Sequence, residues 1–201
     1  MKFMTDCAEM GESMTALTRA ERRLLSEIEE IASAVSMDFW NIEKNYDPKS
    51  REDRLTLMKN TFVRSDVILK YTLIDEYLTD IICDYYFHRP KKSEIGYRQL
   101  WRTKHFKIFV HFLMDETFLL KKLATVEAIT KVPTNVSKAI KRINDVRNVL
   151  AHSFFPENRR RYMPDKKVLY KGEDLFTIKG VELFQDDYEI AENYLWDKVF
   201  G

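Results

Sequence analysis

Glycine and proline are scarce in this chain, with five of each among 201 residues. Because these residues interrupt helices and build turns, their scarcity favours long helices joined by few turns. The two cysteines, Cys7 and Cys83, are too few and too far apart for a disulfide framework or a zinc site. The sequence also lacks a glycine-rich phosphate-binding loop, so we predict neither a metal ion nor a cofactor.

Long apolar runs are absent as well. No stretch approaches the roughly 20 apolar residues that cross a bilayer, and Asp6 and Glu9 fall where a signal peptide would be apolar. We therefore expect no membrane association and a cytoplasmic protein with reduced thiols. The formal net charge of +1 points to no particular partner, whereas an apolar fraction of 45% is ample for the core of one domain.

The most informative stretch runs from residue 136 to 155 and predicts one amphipathic helix. Pro133 and Pro156 bound it, and Thr134 or Asn135 is suited to the N-cap. Apolar residues recur at helical spacing, and Arg147 lies at the border between this stripe and a polar one. The apolar stripe contains Ala139, Ile143, Val146 and Leu150, widened by Val136, Ile140 and Val149. The polar stripe contains Lys141, Asn144, Asp145, Asn148 and His152.

Three residues at the end of this helix suggest phosphate chemistry. His152 can exchange a proton near neutral pH, Arg147 is a permanent cation whose planar fork fits phosphate, and Asn148 precedes His152 by one helical turn. These groups suit RNA cleavage by transesterification, with proton transfer by the histidine and charge stabilisation by the arginine. Alternatively, both side chains simply interact with the exposed carbonyls and negative dipole at the helix end.

The sequence Arg147-Asn148-Val149-Leu150-Ala151-His152 resembles the motif of the HEPN superfamily (higher eukaryotes and prokaryotes nucleotide-binding), an Arg, a polar residue, a short gap and a His late in a helical bundle. The resemblance covers roughly residues 51 to 155. It implies Arg147 and His152 as the catalytic pair, with Asn148 and Asp145 supporting them. It also implies a homodimer with a composite site, no metal, and a toxin–antitoxin or antiviral setting with a possible antitoxin partner.

Basic residues are concentrated around this motif. Between residues 91 and 161, sixteen Lys and Arg residues stand against six Asp and Glu residues, which favours an anionic partner such as RNA. Residues 91 to 107 interleave cations with aromatic rings, a pattern used by proteins that bind single-stranded RNA. The alternative is rings in the core and cations in solvent. We predict RNA contacts from Arg102, Lys104, Arg159, Arg160 and Arg161, although the last three also fit an ordinary exposed loop.

Three carboxylates, Asp75, Glu76 and Asp80, raise the question of a metal cluster. Carboxylates spaced along a helix more often form a hydrated face, and no histidine lies within one turn of them. We therefore predict no metal at this position.

The predicted fold is all-α: an antiparallel bundle of about four or five helices, with a small C-terminal hairpin and a final helix. Residues 1–50 form an N-terminal helix and loop, 51–156 the HEPN-like bundle, and 157–201 the hairpin and final helix packed on the same domain. We expect a long helix, or two joined end to end, from 51 to 88 and a continuous helix from 109 to 129. A hairpin around a glycine-containing turn at 171–174 and a last helix from 177 or 178 to about 199 should follow.

Three functions agree with this sequence. The first is a metal-independent endoribonuclease that uses the RNA 2′-hydroxyl as its nucleophile. The second is a HEPN-like interaction or regulatory module without activity. The third is a helical transcriptional regulator similar to the mannitol repressor. Exposure of Arg147 and His152 in a basic cleft would favour the first function, and burial of both in private hydrogen bonds would favour a structural role.

Overall fold

The computed structural model describes residues 18, 19, 22–24, 26, 48–87, 99–152 and 167–201. The chain divides into two units, Met1–Met58 and Lys59–Gly201, and the packed core lies in the second. The described ranges hold five α-helices, one π-helical turn and a two-stranded antiparallel sheet. The predicted all-α class with a small C-terminal hairpin and final helix is confirmed.

Helix α1 spans Pro48–Phe87 and is 40 residues long. Its buried apolar positions lie from its midpoint onward, where they recur at helical spacing and give the helix an apolar face. These positions are Val67, Ile74, Leu78, Ile81 and Ile82. The prediction of a long helix here is confirmed.

The next segment is less regular than the sequence predicts. Helix α2 spans Lys104–Phe109 and begins at Thr103, whose hydroxyl oxygen accepts a hydrogen bond from the backbone N–H of Phe106 at 3.4 Å. A π-helical turn follows over Val110–Met114, and helix α3 spans Leu119–Ile129. The predicted continuous helix from 109 to 129 is therefore wrong, since residues 115–118 separate two elements.

The apolar face of α2 continues through the π-helical turn. Phe106, Val110 and Met114 all face the core at intervals of four residues. The chain then restarts at Phe118, which has an extended backbone and a side chain that is 85% exposed. No proline or glycine marks the break, so the sequence contains no turn signal at this position.

Helix α4 spans Thr134–His152, so Thr134 is its first residue and the predicted start at 136 is two residues late. The predicted apolar stripe is buried, with Ala139 and Ile143 fully enclosed and Val146 and Leu150 nearly so. Two assignments differ. Asn144, predicted on the polar stripe, is 7% exposed, and Val149, predicted to widen the apolar stripe, is 47% exposed. The predicted end at Pro156 lies outside the described residues.

The hairpin has a tighter turn than predicted. Strand β1, Leu169–Tyr170, pairs antiparallel with β2, Glu173–Asp174, with Tyr170 opposite Glu173. Lys171 and Gly172 form the turn, and both have positive φ angles, 50° and 88°. Two such residues match the backbone twist of a two-residue hairpin. The predicted turn over 171–174 is wrong, since residues 173 and 174 belong to β2. A lysine in a left-handed conformation has no signal in the sequence.

Helix α5 spans Ile178–Phe200 and begins at Thr177, whose hydroxyl oxygen accepts a hydrogen bond from the backbone N–H of Gly180 at 3.2 Å. It packs extensively on α4. The two helices are antiparallel. Asp187, midway along α5, contacts Arg142 of α4, whereas the hydroxyl of Tyr194, further along α5, donates a hydrogen bond to the carbonyl of Lys131, which precedes α4. The core face of α5 contains Phe184, Tyr188, Ala191, Leu195 and Val199.

Candidate functional site

Arg147 lies in the penultimate turn of α4, and its side chain contacts α1. Its side chain is half-buried, and its guanidinium carbon lies 4.7 Å from the centre of the Tyr71 ring. This is within cation–π range. Arg147 therefore occupies the border position that the sequence predicts, between the core face of α4 and its polar face.

Asn148 contributes to the same arrangement. Its side-chain oxygen accepts a long hydrogen bond of 3.3 Å from Nη1 of Arg147. The residue is half-buried, and it precedes His152 by one helical turn, so the two share one side of α4. His152 is the last residue of the helix, but its side chain lies outside the described residues.

The spacing of Arg147 and His152 has a geometric consequence. A five-residue step along an α-helix advances about 7.5 Å and rotates about 140° around the axis. The two residues therefore start on different sides of α4, and Asn148 is much closer in direction to His152. A substrate phosphate that contacted both would therefore have to lie near the C-terminal end of the helix.

Burial and charge act in opposite directions on Tyr71. Burial raises the pKa of its hydroxyl above the ordinary value, Arg147 lowers it, and Asp75 raises it again. The net effect is a raised pKa, so the phenol stays neutral at physiological pH. Arg147 thus rests on a neutral aromatic ring rather than in an ion pair.

Asp145 lies on another side of the helix. It is exposed and lines a small cleft of about 230 Å³ between α4 and the hairpin. The step of two residues from Asp145 to Arg147 rotates about 200°, so the two side chains leave the helix in nearly opposite directions. The supporting role predicted for Asp145 stays a prediction.

The RNA-binding residues predicted from charge are only partly described. Arg102 and Lys104 are both exposed, on either side of the Thr103 cap of α2. The aromatic residues nearby are mixed, because Phe106 is fully buried whereas Trp101 is 37% exposed and packs edge-on against it. At Phe106 the segment matches the alternative interpretation, in which the rings lie in the core and the cations are in solvent. Arg159, Arg160 and Arg161 lie outside the described residues.

Two basic residues of the region between residues 91 and 161 form ion pairs within the fold instead. Lys122 is 3% exposed and its ammonium lies 2.6 Å from the Asp75 carboxylate. Arg142 forms two hydrogen bonds, of 2.6 and 2.8 Å, with the fully buried Asp187. The charge excess in the sequence therefore overstates the positive surface.

The three carboxylates of α1 line a second cleft, of about 390 Å³, together with Asp115, Lys122 and Trp101. The Lys122 ammonium donates a hydrogen bond to the Asp75 carboxylate and neutralises it. The sequence did not indicate this pair, because the two residues are 47 positions apart. Within the described ranges, no three or more His, Cys, Asp or Glu side chains are grouped so that they could hold a metal ion. In the same part of the chain, no helix is both long and apolar enough to cross a membrane.

The chain matches none of the protein-family models, curated proteins or solved structures with which it was compared. Its function must therefore be argued from its own residues.

Tyr71 is the residue of this site that the sequence did not reveal. It belongs to the apolar face of α1 by spacing, and it lies 76 positions before Arg147, so no local pattern connects the two. Packing of α1 against α4 brings them together. A tyrosine at a core-facing position of α1 was the signal that the sequence offered.

Proposed function

We propose that this protein is a metal-independent endoribonuclease that cleaves RNA by transesterification, with Arg147 and His152 as its catalytic residues. The observation that carries the proposal is the geometry at the end of α4. A guanidinium is held at the helix border by a ring and an amide, five residues before the histidine that ends the helix.

The chemistry needs two proton transfers and one charge stabiliser. The 2′-oxygen of a ribose attacks the adjacent phosphorus, the bond to the 5′-oxygen breaks, and a 2′,3′-cyclic phosphate forms. His152 moves a proton from the 2′-hydroxyl or to the leaving 5′-oxygen. Arg147 stabilises the negative charge that builds on the non-bridging oxygens, and its planar donors suit two of those oxygens at once.

One copy of the motif supplies one histidine, whereas a base and an acid are both required. A homodimer that brings two copies of the motif together provides both, as the HEPN resemblance implies. We therefore propose a composite site across a two-fold axis, with Arg102, Lys104 and Arg159–Arg161 contacting the RNA backbone. A cytoplasmic toxin–antitoxin or antiviral role, with an antitoxin as partner, belongs to this proposal.

A second candidate is a HEPN-like module without activity, which includes a regulator similar to the mannitol repressor. The half-burial of Arg147 against Tyr71 favours it, because a stacked arginine also stabilises helix packing. In that function His152 would act on no substrate, and replacing it would not change RNA cleavage.

Activity measurements on matched variants separate the two candidates. We expect His152→Ala and Arg147→Ala to lower RNA cleavage at least about a hundredfold. Lys141→Ala, which removes an exposed cation from the same helix, should cleave within about twofold of wild type, since surface charges contribute little. Cleavage that survives both substitutions in the motif would refute the assignment of the site.

A further inference from the structure

The contact between Arg147 and Tyr71 does more than fill space. The guanidinium carbon lies 4.7 Å from the ring centre, and both side chains are half-buried. An arginine side chain has many rotamers, and a ring at this distance restricts the end of the chain to a small part of them.

The direction of the contact leaves the hydrogen-bonding edge of Arg147 available. Cation–π contact uses the face of a guanidinium, whereas its five N–H donors point outward in the plane. The bond to Asn148 occupies one donor on Nη1. The ring therefore fixes the position of the cation without competing for the donors that a phosphate needs.

We propose that Tyr71 is the positioning residue of the ribonuclease site, and that its ring holds the guanidinium of Arg147 where the transferring phosphate will bind. The inference rests on the proposed function. The role belongs to the aromatic face, so a phenylalanine at this position performs it equally well. The neutral state of the phenol agrees with this, since a phenolate would pair with the cation instead of serving as its platform.

Two substitutions at one position test the proposal. Tyr71→Phe keeps the ring, and Tyr71→Leu removes it while keeping an apolar side chain. Tyr85→Leu is the matched control, because Tyr85 is a tyrosine on the same helix with 53% exposure and its ring packs on Tyr86. Single-turnover cleavage at saturating RNA and RNA affinity are measured for each variant.

We expect Tyr71→Leu to lower the single-turnover rate at least about tenfold, because small displacements of a catalytic group are costly. RNA affinity should change by less than about threefold, since phosphate contacts elsewhere supply most of it. Tyr71→Phe and Tyr85→Leu should match wild type in both measurements. Wild-type rates in Tyr71→Leu, or equal losses in the Phe and Leu variants, would overturn the proposal.

A second readout keeps this inference distinct from the nuclease proposal. The Nε–Hε signal of Arg147 in a nitrogen-15 spectrum of the full chain, assigned with Arg147→Lys, reports the ring directly. It should move in Tyr71→Leu and stay in Tyr71→Phe. If wild type does not cleave RNA and the signal behaves this way, the nuclease is refuted while the ring contact stands. If wild type cleaves and the signal is the same in all variants, the positioning role is refuted alone.

Loss of folding would confuse the activity result, so melting temperatures are measured for all variants. Should Tyr71→Leu unfold at the assay temperature, Tyr71→Met replaces it, because methionine fills a similar space and adapts its shape. The same outcomes then apply.

Discussion

Replacing Asp187 with Asn should weaken the scaffold that carries the candidate site. The Asp187 carboxylate is 1% exposed and joins three elements. It accepts hydrogen bonds from Arg142 of α4, at 2.6 and 2.8 Å, and from the Tyr170 hydroxyl of the hairpin at 2.7 Å. Lys171, in the hairpin turn, lies 2.8 Å from it.

The size of the loss follows from what the substitution leaves behind. Removing the charge of one member of a buried ion pair costs about 3–5 kcal/mol, mainly because its partner stays desolvated. Arg142 and Lys171 are 38% and 30% exposed and can regain water, so we expect the lower end, about 3 kcal/mol. For a chain of this length that corresponds to a melting temperature lower by about 6–12 °C.

The pH dependence has a definite sign. Burial acts to raise the pKa of Asp187, but hydrogen bonds from Arg142, Lys171 and Tyr170 outweigh it and hold the pKa at about 2, below the unfolded value of 3.8. A depressed folded pKa means that the ionised carboxylate stabilises the fold above pH 3.8, by about 2 kcal/mol. This contribution is lost as the pH falls from about 3.8 toward 2, so the difference between wild type and Asp187→Asn should shrink there.

Urea unfolding at neutral pH and at several acidic pH values measures both effects. Asp186→Asn is the control, because it is the same substitution at an exposed neighbouring position, where we expect a change below about 0.5 kcal/mol. Unfolding of Asp187→Asn at the same urea concentration as Asp186→Asn at neutral pH would refute the stabilising role of the Asp187 carboxylate.

Three further predictions concern the same scaffold. Asp75→Asn should cost more stability than Lys122→Met in urea unfolding, about 3 against 1 kcal/mol, because only the first leaves a buried charge without its partner; equal losses would contradict this. With Cys7 changed to Ser, Cys83 should react with a thiol reagent only after denaturation, since burial raises the pKa of its thiol to about 12; rapid native labelling would contradict this. Gly180→Ala should lower the melting temperature by an amount equivalent to at least about 2 kcal/mol, because the added Cβ would meet a backbone oxygen of the hairpin at 2.1 Å; an unchanged value would contradict this.

The helices were predictable where one face is apolar over many turns. The burial of Ile143, Val146 and Leu150 follows directly from their spacing. The break before Phe118 was not predictable, because no proline or glycine lies in residues 115–118. The left-handed backbone of Lys171 has no local sequence signature, although Gly172 marks the turn beside it.

The candidate site was also only partly predictable from the sequence. The border position of Arg147 came from periodicity within one helix and needed no tertiary information. Its contact with Tyr71 depends on how α1 packs against α4, and sequence separation hides such pairs. The internal use of Lys122 and Arg142 was hidden for the same reason, since a charge count treats every lysine and arginine as exposed.

We propose above all that this chain cleaves RNA through the 2′-hydroxyl without a metal ion. Incubation of a mixed RNA pool with the purified protein in the presence of a chelator, followed by analysis of the product ends, tests this proposal. We expect fragments with 2′,3′-cyclic phosphate ends from wild type and none from His152→Ala. Intact RNA after incubation with a folded dimer, or fragments that end in a 3′-hydroxyl, would contradict it.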